Sequence, residues 1–147
     1  MQGLDLITFE DLYSKNIEVT DIHAERQKWV KGVTYSNGSH RRINGIILLN
    51  GCNGIYTDLN ENGTSFFASQ NSIVCLPEGS NYTIFNNDCG LSNQDAYLIE
   101  FHIKEDDKLY TFSPHPFLIT TPFSSALSHA IKEVVRRYEE PIKSPGN

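Results

Sequence analysis

The sequence predicts a mainly β protein, a sandwich or barrel of antiparallel strands followed by one C-terminal helix. Three observations predict it. Short runs of β-branched and aromatic residues recur along most of the chain, separated by clusters of Asn, Gly, Asp and Ser. Asn-Gly pairs, which tolerate the positive φ of tight turns, fall between several of these runs. After Pro122 the apolar period lengthens from strand-like alternation to that of a helix.

Taken in order, strands are expected near Ile17 to His23, Trp29 to Tyr35, Ile43 to Leu49, Gly54 to Leu59 and Thr64 to Ala68. They continue near Ser72 to Leu76, Tyr82 to Phe85, Ala96 to His102 and Phe117 to Thr121. Turn chemistry separates them at Asn37-Gly38, Asn50-Gly51 and Asn62-Gly63, with Asn53-Gly54 close behind, and Asn62-Gly63 is the clearest hairpin. The polar stretch from Asn86 to Asp95 reads as a surface loop. The helix is expected to start at a Ser124 or Ser125 cap, to continue to Tyr138 and to stop at Pro141. This divides the chain into a barrel over 1–122, a helix over 123–141 and a linker-like tail over 142–147.

A chain of 147 residues with 39% apolar content, eight Phe, seven Tyr and one Trp has enough side-chain volume for a single domain core. Its net charge of −6 and pI near 5.3 repel a phosphate backbone, so these residues are not expected to bind DNA themselves. The opening residues carry no basic region with a long apolar run, and no stretch is apolar enough to span a bilayer, so a cytoplasmic protein without membrane contact is expected. Cys52, Cys75 and Cys89 form no Cys-x-x-Cys pair and are read as reduced thiols.

Three phrases carry a resemblance. Gly45 to Tyr56 reads as strand, glycine turn and strand; Asn71 to Tyr82 runs a strand into the Pro77-Glu78-Gly79 turn and out to an aromatic; Tyr97-Leu98-Ile99-Glu100-Phe101 is an aromatic-rich strand ending in Phe. Their order and spacing, with a helix after them, resemble the N-terminal effector-binding domain of AraC-type (AraC/XylS) transcription regulators over about Ile43 to Tyr138. The resemblance implies a cupin-like jelly-roll β-barrel followed by a C-terminal α-helix, and a small-molecule effector with no turnover. It further implies a homodimer through the terminal helix, and DNA contact only through two helix-turn-helix units beyond this stretch of sequence.

The rival expectation is a small metal-dependent cupin enzyme acting on a sugar or keto acid, and the residues speak against it. Such enzymes, which resemble this fold, use a His-x-His pair, a Glu and a His after the Pro-x-Gly turn. Here His40 is followed by Arg41 and Arg42, and Tyr82 stands in the post-turn place. His23, His102, His115 and His129 are scattered, no Gly-x-Ser-x-Gly phrase occurs, and the Gly51 to Gly54 turn does not lead into a helix. No catalytic residue, cofactor or metal is therefore expected.

What remains is binding, because a small barrel can hold one compact ligand between aromatic walls and a few polar groups. Trp29, Arg42, Tyr56, Tyr82, Glu100 and His102 are the candidate pocket residues, and a carbohydrate suits aromatic faces flanked by such polar groups. Glu100 and His102 share one strand face and Tyr97, Ile99 and Phe101 the other, and alternation leaves open which face points inward. Glu100 needs water or a partner such as Arg42. On the helix, Leu127, Ile131, Val134 and Tyr138 follow a 4-3-4 spacing and are the expected dimerisation seam, with Ala126 and Ala130 against the barrel.

Overall fold

The computed structural model describes residues 16–87, 95–110 and 113–139. The strands are β1 (Ile17–Lys28), β2 (Thr34–Ser36), β3 (Asn44–Asn50), β4 (Asn53–Asp58), β5 (Thr64–Ala68), β6 (Ile73–Leu76), β7 (Tyr82–Asn87), β8 (Asp95–Glu105), β9 (Lys108–Tyr110) and β10 (Phe117–Leu118). They precede the helix α1 (Ser124–Glu139). Cys89, Pro141, the tail 142–147 and most of the polar stretch after Asn87 lie outside the described residues.

Two antiparallel sheets face each other. One runs β1-β8-β3-β6-β10 with β9 added to β8, and the other runs β2-β7-β4-β5. Residue alternation decides what each face meets. Ile47 and Leu49 of β3, Val74 and Leu76 of β6, and Ala96 and Leu98 of β8 meet Tyr56, Ala68, Tyr82 and Ile84 of the second sheet in one core. The intervening residues Ile46, Leu48, Ile73, Tyr97 and Ile99 form a second apolar cluster with Leu127 and Ile131 of α1. Both faces of the larger sheet are thus covered, which is why β3 and β6 read as nearly continuous apolar runs.

The turns follow the residues that permit them. Asn62 and Gly63 take φ of 54° and 76°, and the Gly63 N–H closes the β4–β5 loop on the Asp58 carbonyl at 3.0 Å. Gly79, at φ 87°, lets β6 pass through the Pro77 turn into β7. The β8–β9 hairpin was not expected: its two loop residues are Asp106 and Asp107, both at positive φ, a conformation Asp tolerates without the usual Asn-Gly signal. The β1 strand also runs on to Lys28, so Trp29 follows β1 instead of opening a strand that reaches Tyr35.

Two expectations about the helix are corrected. It already begins at Ser124, and the hydroxyl that serves its entry is Thr121, which accepts the Phe123 N–H at 3.1 Å. Of the stripe expected to meet a second copy, Ile131 is 3% exposed against this chain's own barrel and Leu127 packs on the second cluster, while Val135, outside that stripe, is fully buried. Val134 is half-buried, and Tyr138, though half-exposed, donates its hydroxyl to the Ile22 carbonyl at 3.0 Å. Ala126 and Ala130 face outward. The reason is area: Leu, Ile and Val remove far more apolar surface from water than two alanines do, so the helix turns its bulkier arc to the sheet.

Candidate functional site

The interior is organised around Arg41, which lies in the irregular segment ahead of β3. Backbone bonds fix it to the Pro-x-Gly turn: the Arg41 N–H donates to the Ser80 carbonyl at 2.8 Å and the Gly79 N–H donates to the Arg41 carbonyl at 2.7 Å. Its guanidinium then points inward. Nε donates to the Ile43 carbonyl at 3.1 Å, one terminal nitrogen to the Tyr82 hydroxyl at 3.1 Å and the other to Glu100 Oε2 at 2.5 Å. Gly45 makes room for it, since a Cβ there would stand 3.0 Å from the guanidinium and 3.2 Å from Leu98.

Beside Arg41 opens a cavity of about 420 Å³. Trp29, Tyr35, Tyr82 and Ile84 supply its apolar walls, with the Trp29 and Tyr35 rings 5.9 Å apart. Among the described residues Lys28 and Arg41 are the two cations that line it, and no acidic residue does. Its amides are already committed: Gln27 accepts the Trp29 indole N–H at 3.3 Å, and Asn37 bonds the Ser80 carbonyl and the Tyr82 N–H. Burial raises the Tyr82 phenol above its ordinary pKa, while the Arg41 charge and hydrogen bond pull it back.

Of the six candidate residues, Trp29 and Tyr82 line this cavity and Glu100 stands directly behind it as the partner of Arg41. Tyr56 does not line it. Its ring is fully buried, stacked on Phe66 at 5.2 Å and near Tyr82, its hydroxyl has no hydrogen bond among the described residues, and burial pushes its pKa well up. His102 shares the Glu100 face, with Nδ1 3.4 Å from Glu78 Oε1, a contact too poorly aligned to be a hydrogen bond for either atom. Arg42 is exposed, and the partner of Glu100 is Arg41; that expectation is corrected. Sequence reasoning missed Lys28, Tyr35 and Arg41. In a segment without strand periodicity nothing distinguishes Arg41 from Arg42, and only the backbone bonds to the Pro-x-Gly turn decide which one points inward.

No protein-family model matches the sequence, and no curated protein matches it either. Solved structures do. Apo ToxT K231A from Vibrio cholerae strain SCE256 superimposes with a TM-score of 0.53 at 12% identity, over 87% of this chain and 61% of that one. The chain has the cupin-like barrel fold. ToxT from Vibrio cholerae O395 matches with a TM-score of 0.49 at 16% identity, over 84% of this chain and 48% of that one. Unsaturated fatty acid bound ToxT from strain SCE256 gives 0.49 at 14% identity, over 82% and 47%. The cupin-like barrel therefore spans less than two thirds of each ToxT chain. No helix among its described residues is long and apolar enough to cross a membrane.

Proposed function

We propose that this cupin-like barrel is the effector-sensing domain of an AraC-type transcription regulator, and that its cavity takes a small organic anion. The three phrases of the sequence and a fold shared with ToxT, an AraC-family regulator, support the first part. The cavity supports the second: among the described residues it has aromatic and aliphatic walls, two cations and no acid. Arg41 is already neutralised by Glu100, but Lys28 has no ion pair among the described residues, so an entering carboxylate finds a charge to meet. An effector acts by binding one conformation better than another, and the attached helix-turn-helix units, outside these residues, carry the DNA contact.

A neutral carbohydrate is the second reading, favoured by the Trp29 wall. It has less to bind, because the amides of Gln27 and Asn37 are already hydrogen-bonded. A metal enzyme is disfavoured electrostatically, since an ion among Tyr82 and Glu100 would sit beside the Arg41 guanidinium.

Trp29, the single tryptophan, reports the test directly. Aliphatic and aromatic carboxylates, sugar acids and neutral sugars are titrated while its emission and the melting temperature are followed. Carboxylates are expected to shift both, Lys28→Met to weaken them about tenfold, equivalent to 1.4 kcal/mol, and Arg42→Met to change nothing. Neutral sugars binding wild type and Lys28→Met alike establish the second reading. Silence from every carboxylate at millimolar concentration overturns the first.

A further inference from the structure

Away from the cavity, two chain segments bring three metal-binding groups to one point. Asp58 ends β4, Glu61 lies in the β4–β5 loop, and His115 lies in the segment before β10. One ligand atom from each falls within 4.8 Å of the others. His115 Nδ1 is 2.7 Å from Asp58 Oδ2 and 3.4 Å from Glu61 Oε2. A single Nδ1–H satisfies only one of two carboxylates, and among the described residues no lysine or arginine nitrogen pairs with either. Negative charge is therefore in excess around a carboxylate whose side chain is only 8% exposed.

The surrounding backbone holds this arrangement ready. The Asn60 N–H donates to Asp58 Oδ1 at 2.9 Å, which leaves Oδ2 facing His115. The Asn60 side chain donates to the carbonyls of Gly79 and Pro114, tying the loop to the segment that carries His115. Gly63 and Glu61 both donate backbone N–H groups to the Asp58 carbonyl. Holding Asp58 and the His115 segment in place before an ion arrives lowers the ordering cost of binding it.

We propose that Asp58, Glu61 and His115 bind one divalent ion of the Mn²⁺ or Zn²⁺ class, with water in the remaining positions. One imidazole nitrogen with two carboxylate oxygens is a donor set intermediate between the nitrogen-rich sites of Zn²⁺ and the oxygen sites of Mn²⁺. The ion replaces the shared proton between His115 and Asp58, and with ligand bonds of about 2.0–2.2 Å the three groups close around it from their present separations within 4.8 Å. Glu61, 59% exposed, leaves the outer side open to solvent. The site lies outside the barrel cavity and clips the β4–β5 loop to the segment entering β10.

The test uses untagged protein freed of metal by chelator and then titrated with Zn²⁺ or Mn²⁺ by calorimetry and thermal unfolding. One ion per chain at micromolar affinity and a raised melting temperature are expected, with Mn²⁺ broadening the His115 ring signals before those of the other four histidines. Glu61→Gln and His115→Gln are each expected to weaken binding at least tenfold. Glu61 is exposed enough to be replaced without unfolding the barrel, so it decides the matter even where Asp58→Asn fails to fold. Binding unchanged in both variants, or no binding at millimolar ion, overturns the proposal.

Discussion

Gly45 and Glu100 stand opposite each other in the β3–β8 register, and the side chain that Gly45 lacks is the space the Arg41 guanidinium enters to reach Glu100. An empty Cβ position on one strand and an acid on the next thus make a socket for a cation carried by neither strand. The socket matters because Arg41, once seated, forms both the back of the cavity and the partner of the Tyr82 hydroxyl.

Glu100→Gln leaves the guanidinium, 11% exposed, without its counter-charge. The expected loss is about 2 kcal/mol in urea unfolding, below the ~3–5 kcal/mol of a fully buried pair because part of Glu100 still meets water. Replacing both partners, as Arg41→Met with Glu100→Leu, is expected to restore most of that stability. A single Glu100→Gln variant as stable as wild type would show that the pair is not coupled.

The helix gives an expectation opposite to that of a dimer seam. Ile131→Ala is expected to cost about 2–4 kcal/mol, because Ile131 is buried between α1 and the sheet. Leu127→Glu with Ile131→Glu is expected to unfold the domain, read by loss of the cooperative thermal transition alongside sedimentation. A folded monomer arising from a wild-type dimer would instead place those residues between copies.

Tyr56→Phe removes a fully buried hydroxyl that has no hydrogen bond among the described residues. Since the ring packing on Phe66 is kept, the variant is expected to be more stable by about 1 kcal/mol, measured from the urea midpoint at unchanged slope. A loss of stability of that size would reveal a partner for the hydroxyl.

Alkaline pH is expected to destabilise the fold with a definite onset. Burial raises the Cys75 thiol from 9.0 to about 12, and it raises Tyr56 and Tyr82 above their ordinary 10.0. The native state therefore holds protons that the unfolded chain releases, and stability falls as pH rises. These contributions are complete below about pH 9 and fade above it, as the unfolded groups begin to ionise. Melting temperature against pH, with tyrosinate absorbance, tests this: ionisation of all seven tyrosines before unfolding would contradict it.

Most strands and the helix were legible because their side chains alternate or repeat with the period of the element. Thr64–Ala68 matches its expected bounds, and the helix runs from Ser124 past Tyr138. Two features were not legible for physical reasons. The Asp106-Asp107 hairpin lacks the glycine that usually follows Asn or Asp in such a turn, so its two positive φ values rest on Asp alone. The orientation of α1 depends on which apolar arc fits the sheet, and spacing alone leaves Leu127 and Ala126 equally entitled to face it. At the candidate site, aromatic Trp29 and Tyr82 were legible by residue type, whereas Arg41 depends on a backbone bond to a turn 38 residues away at Gly79.

Strand β8 meets the polar interior and the helix at once. Glu100 holds Arg41 on the inner face, and Ile99, its neighbour in sequence, sits in the cluster beneath α1 on the outer face. Between them lies one planar peptide unit, which bends and stretches very little. The strand is therefore a partition thin enough to be felt through: whatever shifts the Glu100 main chain at the edge of the cavity also shifts the surface on which the helix rests.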